Sequence, residues 1–310
     1  MPYNRDNAIA YAKAFWTIPC KDGLVGTDSA HMRLDDRRTQ LHAPANQGWV
    51  ASFVRDKIHG VEAGVFQKPG ADDKVFQAWN GLEDCAHFLS QCVRAGGAGI
   101  ETQWGVRELV EGLQGLSETK TLAERVGKDA GQRIVDSGIF KLGDMIGYYN
   151  NNPKEGKRGY GHSAMYVGGG GITCHSVCRF KGLGDSADDE WDLSNPDYSY
   201  TLIHFSSGDV APDPATAGKL AGWWTVQNAG RTRYYYILDD GRARWTPVAP
   251  RKATDQAPAG MNSAYWFQDH DKTTFIWKET GDCEVWTVNS AGNVTSSFLN
   301  GIAGKVTRLF

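Results

Sequence analysis

Two residues of the chain have the types and order that cysteine-dependent acyl chemistry requires. Cys85 opens a stretch with helical apolar spacing, and His162 follows 77 residues later at the start of a predicted strand. A thiol in the first turn of a helix feels the positive end of the helix dipole, which favours the thiolate. A nearby imidazole can take the thiol proton and later return it to a leaving amine. Cys85 and His162 are therefore a candidate nucleophile and its base.

The elements that must position these residues can be predicted from spacing. Residues recur at helical intervals from the cysteine, which predicts an amphipathic helix with one buried stripe: Cys85, Phe88, Leu89, Cys92 and Val93. Asn80 or Asp84 is expected to cap this helix, and Gly96-Gly97 to end it. Three strands are predicted further on, after a turn at 143–144, from His162 to Val167, and over 172–176. A helix followed by an antiparallel meander can bring an imidazole to the helix tip.

A cysteine on a helix stripe also has a simpler interpretation as a core residue, because cysteine is among the most buried residue types. The downstream histidine is what favours chemistry. Cys174, His175 and Cys178 offer thiolate and imidazole ligands, but no fourth ligand and no paired knuckle accompany them, so no metal site is predicted. The remaining cysteines are interpreted as buried thiols, and a bridge between Cys174 and Cys178 is left open.

The order of these motifs resembles the NlpC/P60 and CHAP-like cysteine peptidases and amidases of bacterial cell walls. The shared pattern is Asp-Cys on a helix, then Gly-Asp-x-Ile at 143–146, then Gly-His-x-x-x-Tyr-Val-Gly at 161–168, then an apolar residue followed by His. The start at Tyr3-Asn4-Arg5 and the phrase from Phe88 to Cys92 are similar to the amidase branch of that group. The resemblance covers about residues 1–206, apart from an unmatched stretch between roughly Cys20 and Gln77.

The resemblance implies a site and a fold. It implies Cys85 as the nucleophile, His162 as the general base and His175 as the group that orients His162 through its other ring nitrogen. His175 lies one residue further from His162 than the family's usual spacing, and the extra glycine in the run 168–171 lengthens the turn. The expected catalytic domain is α+β and papain-like, of the NlpC/P60 type. Its reaction requires no metal and no organic cofactor.

Composition divides the chain around a stretch rich in proline and alanine. We predict a cysteine amidase or peptidase domain over 1–210, a linker over 211–217 and a small antiparallel all-β domain over 218–310. Aromatic strands alternate with turns in the last part, which holds six of the eleven tryptophans. Most of these rings are expected to fill the core of the β domain, and one or two exposed rings would bind glycan or a partner protein.

The predicted function is a peptidoglycan amidase or endopeptidase that cleaves stem-peptide amide bonds through a thioester acyl-enzyme. A formal net charge of -3 gives no reason to expect nucleic acid as a partner, and no apolar run is long enough to span a membrane. Residues 1–16 show no general secretory signal. Mature peptidoglycan lies outside the inner membrane. We therefore expect a protein made in the cytoplasm, exported by a specialised route and acting in the periplasm of a target cell, as antibacterial effectors of contact-dependent (type VI) secretion do.

The expected partners are the peptidoglycan peptide, a cognate inhibitor (immunity) protein and a component of the secretion machine. Three alternatives stay open. The same chemistry suits an acyltransferase or deamidase that acts on a protein, and it suits a phage-type lysin. From a different class, a non-catalytic wall-binding or interaction protein would use the aromatic domain over 218–310 as its working part.

Overall fold

The computed structural model forms twenty strands and five helices in the part of the chain that it describes. Described in full are residues 2–16, 20–22, 84–151, 159–169, 171–175, 197–209, 214–228, 230–257 and 262–310; the strands at 24–26, 31–34, 40–42, 49–55, 62–67, 75–77 and 179–181 are described by their backbone. The helices are α1 (Arg5–Phe15), α2 (Cys85–Ala95), α3 (Val106–Gln114), α4 (Lys128–Asp136) and α5 (Pro214–Leu220).

The strands fall into three groups along the chain. Those before α2 are β1 (Leu24–Gly26), β2 (His31–Leu34), β3 (Gln40–His42), β4 (Trp49–Arg55), β5 (Glu62–Gln67) and β6 (Val75–Gln77). Those between α3 and α5 are β7 (Thr119–Val126), β8 (Met145–Asn150), β9 (Gly159–Gly168), β10 (Gly171–Cys174), β11 (Arg179–Lys181) and β12 (Tyr198–Phe205). The last are β13 (Gly222–Asn228), β14 (Arg231–Ile237), β15 (Arg242–Thr246), β16 (Ser263–Asp269), β17 (Lys272–Trp277), β18 (Asp282–Val288), β19 (Val294–Leu299) and β20 (Ile302–Arg308).

These strands overturn the expected α+β papain-like domain. The stretch before α2 that has no counterpart in the resemblance forms a six-stranded antiparallel sheet in the order β1-β2-β3-β4-β5-β6. Helices α3 and α4 are only nine residues long. With sheets before and after α2, the fold is mostly β, because the short helices cannot supply the helical half of a papain-like domain.

The chain divides into two compact units. The first consists of residues 1–119 and 141–198, and the second of residues 120–140 and 199–310. The first unit contains α1, α2, α3, the sheet β1 to β6 and four further strands in the order β11-β10-β9-β8. The second contains α4, α5, most of β7 and β12, which are neighbours, and the strands from β13 onward. Helix α5 occupies most of the stretch whose composition is typical of a linker.

Strands β13 to β20 close into an antiparallel barrel, because β20 pairs with β13 as well as with β19. The barrel core contains the large aromatic residues Trp224, Tyr235, Trp266, Phe275, Trp277 and Trp286. An eight-stranded barrel has an interior that side chains just fill. Four of the tryptophans that the composition singles out are therefore core residues.

A carboxylate is buried among these rings. The Glu284 side chain accepts hydrogen bonds from Tyr235 Oη (2.7 Å), Trp286 Nε1 (2.6 Å) and Ser297 Oγ (2.9 Å). Burial raises the pKa of Glu284, although these donors act in the opposite direction. The three donors satisfy the carboxylate, as a buried polar group requires.

Strand β7 and helix α4 pack against the hairpin formed by β17 and β18. The Glu124 amide donates to the Lys278 carbonyl (3.0 Å), and the two side chains form an ion pair of 2.7 Å. Gly281 lies in the hairpin turn with φ +63, and a Cβ there would lie 2.7 Å from Cβ of Ala130. The segment 120–140 is therefore part of the same packed unit as the barrel.

Candidate active site

Helix α2 begins at Cys85, the candidate nucleophile. Its predicted stripe is buried, with 4% of Cys85 exposed and 0% of Phe88, Leu89, Cys92 and Val93. The helix packs against α1 and against strands β9 and β10. The thiol therefore lies in the first turn of an internal helix of the first unit, at the positive end of its dipole.

The N-terminal motif holds the other end of this helix. The Asn4 amide donates to the carbonyl of Gly96 (2.7 Å), which ends α2. A Cβ at Gly96 would lie 2.4 Å from Cε2 of Tyr3, so glycine is needed for this close approach. The Tyr3 hydroxyl donates to the carbonyl of Gly143 (2.9 Å), in the turn before β8. Motifs from distant parts of the sequence are therefore in direct contact.

The same motif fixes the turn that leads to the candidate base. Arg5 Nη1 donates to Oδ1 of Asp144 (2.6 Å), whose side chain is fully buried. Strand β8 then pairs antiparallel with β9, which places Tyr148 opposite His162 with their ring centroids 5.3 Å apart. His162 is 1% exposed. Its position thus depends on β8 and on the ion pair that anchors β8.

His175 lies directly after β10 and reaches the start of α2. Its Nδ1 donates to Oδ2 of Asp84 (2.6 Å), its Nε2 donates to the Phe15 carbonyl (2.8 Å), and its ring stacks on Phe88 with centroids 4.0 Å apart. Both partners, a carboxylate and a backbone carbonyl, are hydrogen-bond acceptors. The structure thus differs from the expected orienting bond between His175 and His162, because Asp84 and Phe15 hold both nitrogens of His175.

Asp84 bridges two histidines instead of capping α2. It occupies the N-cap position, but its side chain makes no capping bond. Oδ1 accepts a hydrogen bond from Nδ1 of His87 (2.9 Å), while Oδ2 accepts from His175. Nε2 of His87 in turn donates to Oδ2 of Asp22 (3.0 Å). The expectation of a capping role for Asp84 is therefore wrong, and the bridge instead fixes the residue that precedes Cys85.

The charges of this cluster follow from its contacts. Burial acts to raise the pKa of Asp84, but His87 and His175 outweigh it, and the pKa is lowered. Burial acts to lower the pKa of His87, but Asp84 and Asp22 raise it to about 12. At neutral pH an aspartate and an imidazolium therefore form a buried ion pair beside the candidate nucleophile. His175 further favours the charged form of Asp84, and Asp22 further favours the charged form of His87.

Cys20 completes the cluster. It is fully buried, and burial raises the pKa of its thiol to about 12, against the lowering effect of a hydrogen bond with His87. The His87 ring stacks on Trp104, with centroids 4.4 Å apart and planes 7° apart. Sequence reasoning missed both His87 and Cys20. The available signal for His87 was its i, i+3 spacing from Asp84 on a helix, whereas no local pattern indicates Cys20.

The cysteines that the structure describes are free thiols, namely Cys20, Cys85, Cys92, Cys174 and Cys283. Cys178, and with it the open question of a bridge to Cys174, lies outside the described residues. Comparisons with protein-family models, with curated proteins and with solved structures found no match. Among the described helices, none has the length and apolar character that crossing a membrane requires. An assignment of function therefore depends on the residues of the site itself.

Proposed function

We propose that the chain is a cysteine hydrolase that cleaves amide bonds in the stem peptides of peptidoglycan. The observation that carries the proposal is the placement of Cys85 in the first turn of a buried helix that packs on β9, the strand bearing His162. The contacts of Tyr3 and Asn4 with the distant motif segments support it further. The proposal depends on these residues and not on a papain-like fold.

In the proposed reaction, His162 takes the thiol proton of Cys85, and the thiolate attacks the carbonyl carbon of the amide. First-turn amides point to the N-terminal end of a helix, so the Cys85 N–H is assigned as a donor to the developing oxyanion. His162 gives its proton to the leaving amine as the C–N bond breaks, which leaves a thioester on Cys85. Water, deprotonated by His162, attacks the thioester, releases the carboxylic acid and restores the thiol.

Asp84 and His175 act as positioning residues in this proposal. His175 bonds to Asp84, and Asp84 directly precedes Cys85, so loss of either displaces the thiol without removing it. We expect His175→Ala to lower kcat less than His162→Ala does and to leave KM unchanged. His175→Asn, whose amide lies near the position of Nδ1 and can still donate to Asp84, should recover part of the lost kcat. If His175→Asn and His175→Ala both fold normally and His175→Asn recovers no kcat, this role is contradicted.

Digestion of purified sacculi, followed by mass analysis of the released fragments, tests the proposal. Cys85→Ala and His162→Ala should each lower the rate by at least about 10³-fold, as loss of a catalytic group does in other hydrolases. Cys92→Ala is the matched control, because Cys92 is a buried thiol on the same stripe of α2. Its rate should stay near that of the wild type. Full activity of folded Cys85→Ala would exclude the cysteine mechanism.

Alkylation of thiols measures the activation of Cys85 independently of any substrate. We expect iodoacetamide to modify Cys85 first among the described cysteines, because it is in a helix N-terminal turn. Cys20 and Cys283 should react slowly, since burial raises the pKa of each to about 12. His162→Ala should slow modification of Cys85 at neutral pH. An unchanged rate would mean that His162 does not activate this thiol.

The proposal places the action of the protein in the periplasm of a target cell, with a cognate inhibitor in the producing cell. Expression in a bacterium with an added periplasmic signal should lyse the cells, whereas expression without it should be tolerated. Cys85→Ala should abolish lysis. Toxicity confined to the cytoplasm would instead favour the alternative of a protein acyltransferase or deamidase.

A further inference from the structure

Three residues with metal-binding chemistry lie together beside α2. Sγ of Cys20, a carboxylate oxygen of Asp84 and a ring nitrogen of His175 lie within 4.8 Å of one another, and all three residues are fully buried. Thiolate, carboxylate and imidazole are the ligand types of Zn²⁺, with bonds of about 2.3 Å to sulfur and about 2.0–2.1 Å to nitrogen. A tetrahedral site with these bonds separates its ligand atoms by about 3.3–3.6 Å. Ion binding therefore needs side-chain shifts of only about 1 Å.

The hydrogen bonds around these residues match the outer partners of a metal site. The Nε2–H of His175 donates to the Phe15 carbonyl (2.8 Å), which directs Nδ1 toward Oδ2 of Asp84. Oδ1 of Asp84 accepts from Nδ1 of His87 (2.9 Å). Histidines that bind metals donate their second N–H to a carbonyl or carboxylate, and carboxylates that bind metals accept further hydrogen bonds. His175 and Asp84 both have such a partner.

We propose that Cys20, Asp84 and His175 bind one Zn²⁺ ion, with water at the fourth position. The ion replaces the hydrogen bond between Nδ1 of His175 and Oδ2 of Asp84. Two protons leave, one from the Cys20 thiol and one from Nδ1 of His175. A thiolate, a carboxylate and a neutral imidazole around Zn²⁺ sum to zero charge, which suits a fully buried site. The inference does not rest on the proposed hydrolase mechanism.

Titration of the full chain with metal tests the proposal. The protein is treated with a chelator, dialysed and titrated with Co²⁺, and then Zn²⁺ is added. We expect one equivalent of Co²⁺ to bind with the spectrum of a tetrahedral site that includes a thiolate, and Zn²⁺ to displace it. Failure of the wild-type protein to bind either ion at micromolar concentrations would overturn the proposal.

Variants identify the thiolate. Cys20→Ser should abolish the thiolate-to-cobalt band and lower Zn²⁺ affinity by more than the roughly 10–100-fold that loss of an outer partner costs. Cys92→Ala and Cys85→Ala should both keep the thiolate-to-cobalt band. Cys85→Ala should keep it although this variant loses hydrolysis. A band that disappears in Cys85→Ala and survives in Cys20→Ser would overturn the proposal. If Cys20→Ser does not fold, His87→Gln decides, because it removes the hydrogen bond that Asp84 accepts from Nδ1 of His87. A Zn²⁺ affinity within about 3-fold of wild type would then overturn the proposal, since loss of an outer partner costs roughly 10–100-fold.

Discussion

Replacing Asp84 with asparagine tests the cluster that fixes the start of α2. The wild-type carboxylate accepts one hydrogen bond from His87 (2.9 Å) and one from His175 (2.6 Å). Asparagine keeps the size of the side chain and one oxygen, but it presents an NH₂ group to one of the two imidazoles. That imidazole N–H then loses its acceptor, and the buried positive charge loses its neutralising carboxylate.

The size of the effect follows from the burial of all partners. A hydrogen bond to a charged group contributes about 1.5–3 kcal/mol, and removal of one partner of a buried ion pair costs about 3–5 kcal/mol. The side chains of Asp84, His87 and His175 are 0% exposed, so solvent does not screen their interactions. We therefore expect Asp84→Asn to lower the free energy of unfolding of the first unit by about 3–5 kcal/mol, out of a typical total of about 5–15 kcal/mol.

Hydrogen exchange followed by mass spectrometry measures each unit separately. Amides of α2 should exchange faster in Asp84→Asn, whereas amides of β13 to β18 should be unchanged. Repeating the exchange in increasing urea gives the difference in free energy of unfolding. Asp6→Asn is the matched control, because Asp6 is an exposed residue in the first turn of α1. Its replacement should cost about 0.3–1 kcal/mol.

If Asp84→Asn lowers the free energy of unfolding by no more than Asp6→Asn does, the buried ion pair is refuted. A double-mutant cycle supplies a second criterion. Asp84→Asn and His87→Gln remove the same hydrogen bond, so the double variant should cost less than the sum of the two single variants. Additive costs would show that Asp84 and His87 do not interact.

Three further predictions concern the second unit. Burial raises the pKa of Glu284 in the folded state, so its contribution to stability is present below the unfolded pKa and is lost as pH rises through the folded pKa. In urea titrations, Glu284→Gln should therefore gain stability relative to wild type as pH rises. A pH-independent difference would contradict this. A chain ending at residue 211 should be insoluble on expression, because the segment 120–140 loses its contacts with the barrel; a monomer in gel filtration would refute this. Gly281→Ala should cost about 2–4 kcal/mol in thermal unfolding, since alanine adds backbone strain and a clash with Ala130.

Elements with a clear local period could be predicted from the sequence. Helix α2 begins at Cys85 as the apolar spacing indicates, and the predicted strand from His162 to Val167 lies within β9. The aromatic stretches 222–226 and 284–288 lie within β13 and β18. In each case the buried face of the element requires apolar residues at alternate or helical spacing, and this spacing is visible in a short window of sequence.

The fold class could not be predicted, because the strands that decide it are short. Between Leu24 and Gln77 the strands are three to seven residues long. Windows of that length carry little periodicity, and β propensity depends strongly on the neighbouring strands. The order of motifs in the resemblance predicts candidate site residues. It does not specify the sheets that surround them, since similar sites occur on unrelated folds.

The role of Asp84 shows why a local rule failed where a distant partner decided. From sequence, an aspartate before a helix is expected to cap it, which contributes about 1 kcal/mol. In the structure, the two carboxylate oxygens of Asp84 accept from His87 and His175 instead of from the first-turn amides of the helix. Each hydrogen bond to a charged group contributes about 1.5–3 kcal/mol. His175 is 91 residues away from Asp84, and Asp22 is 65 residues away from His87. The bonds of His175 to Asp84 and of His87 to Asp22 depend on tertiary contacts. Local sequence therefore indicates the residue types of the site and the i, i+3 pair of Asp84 and His87, but not the rest of the network that positions them.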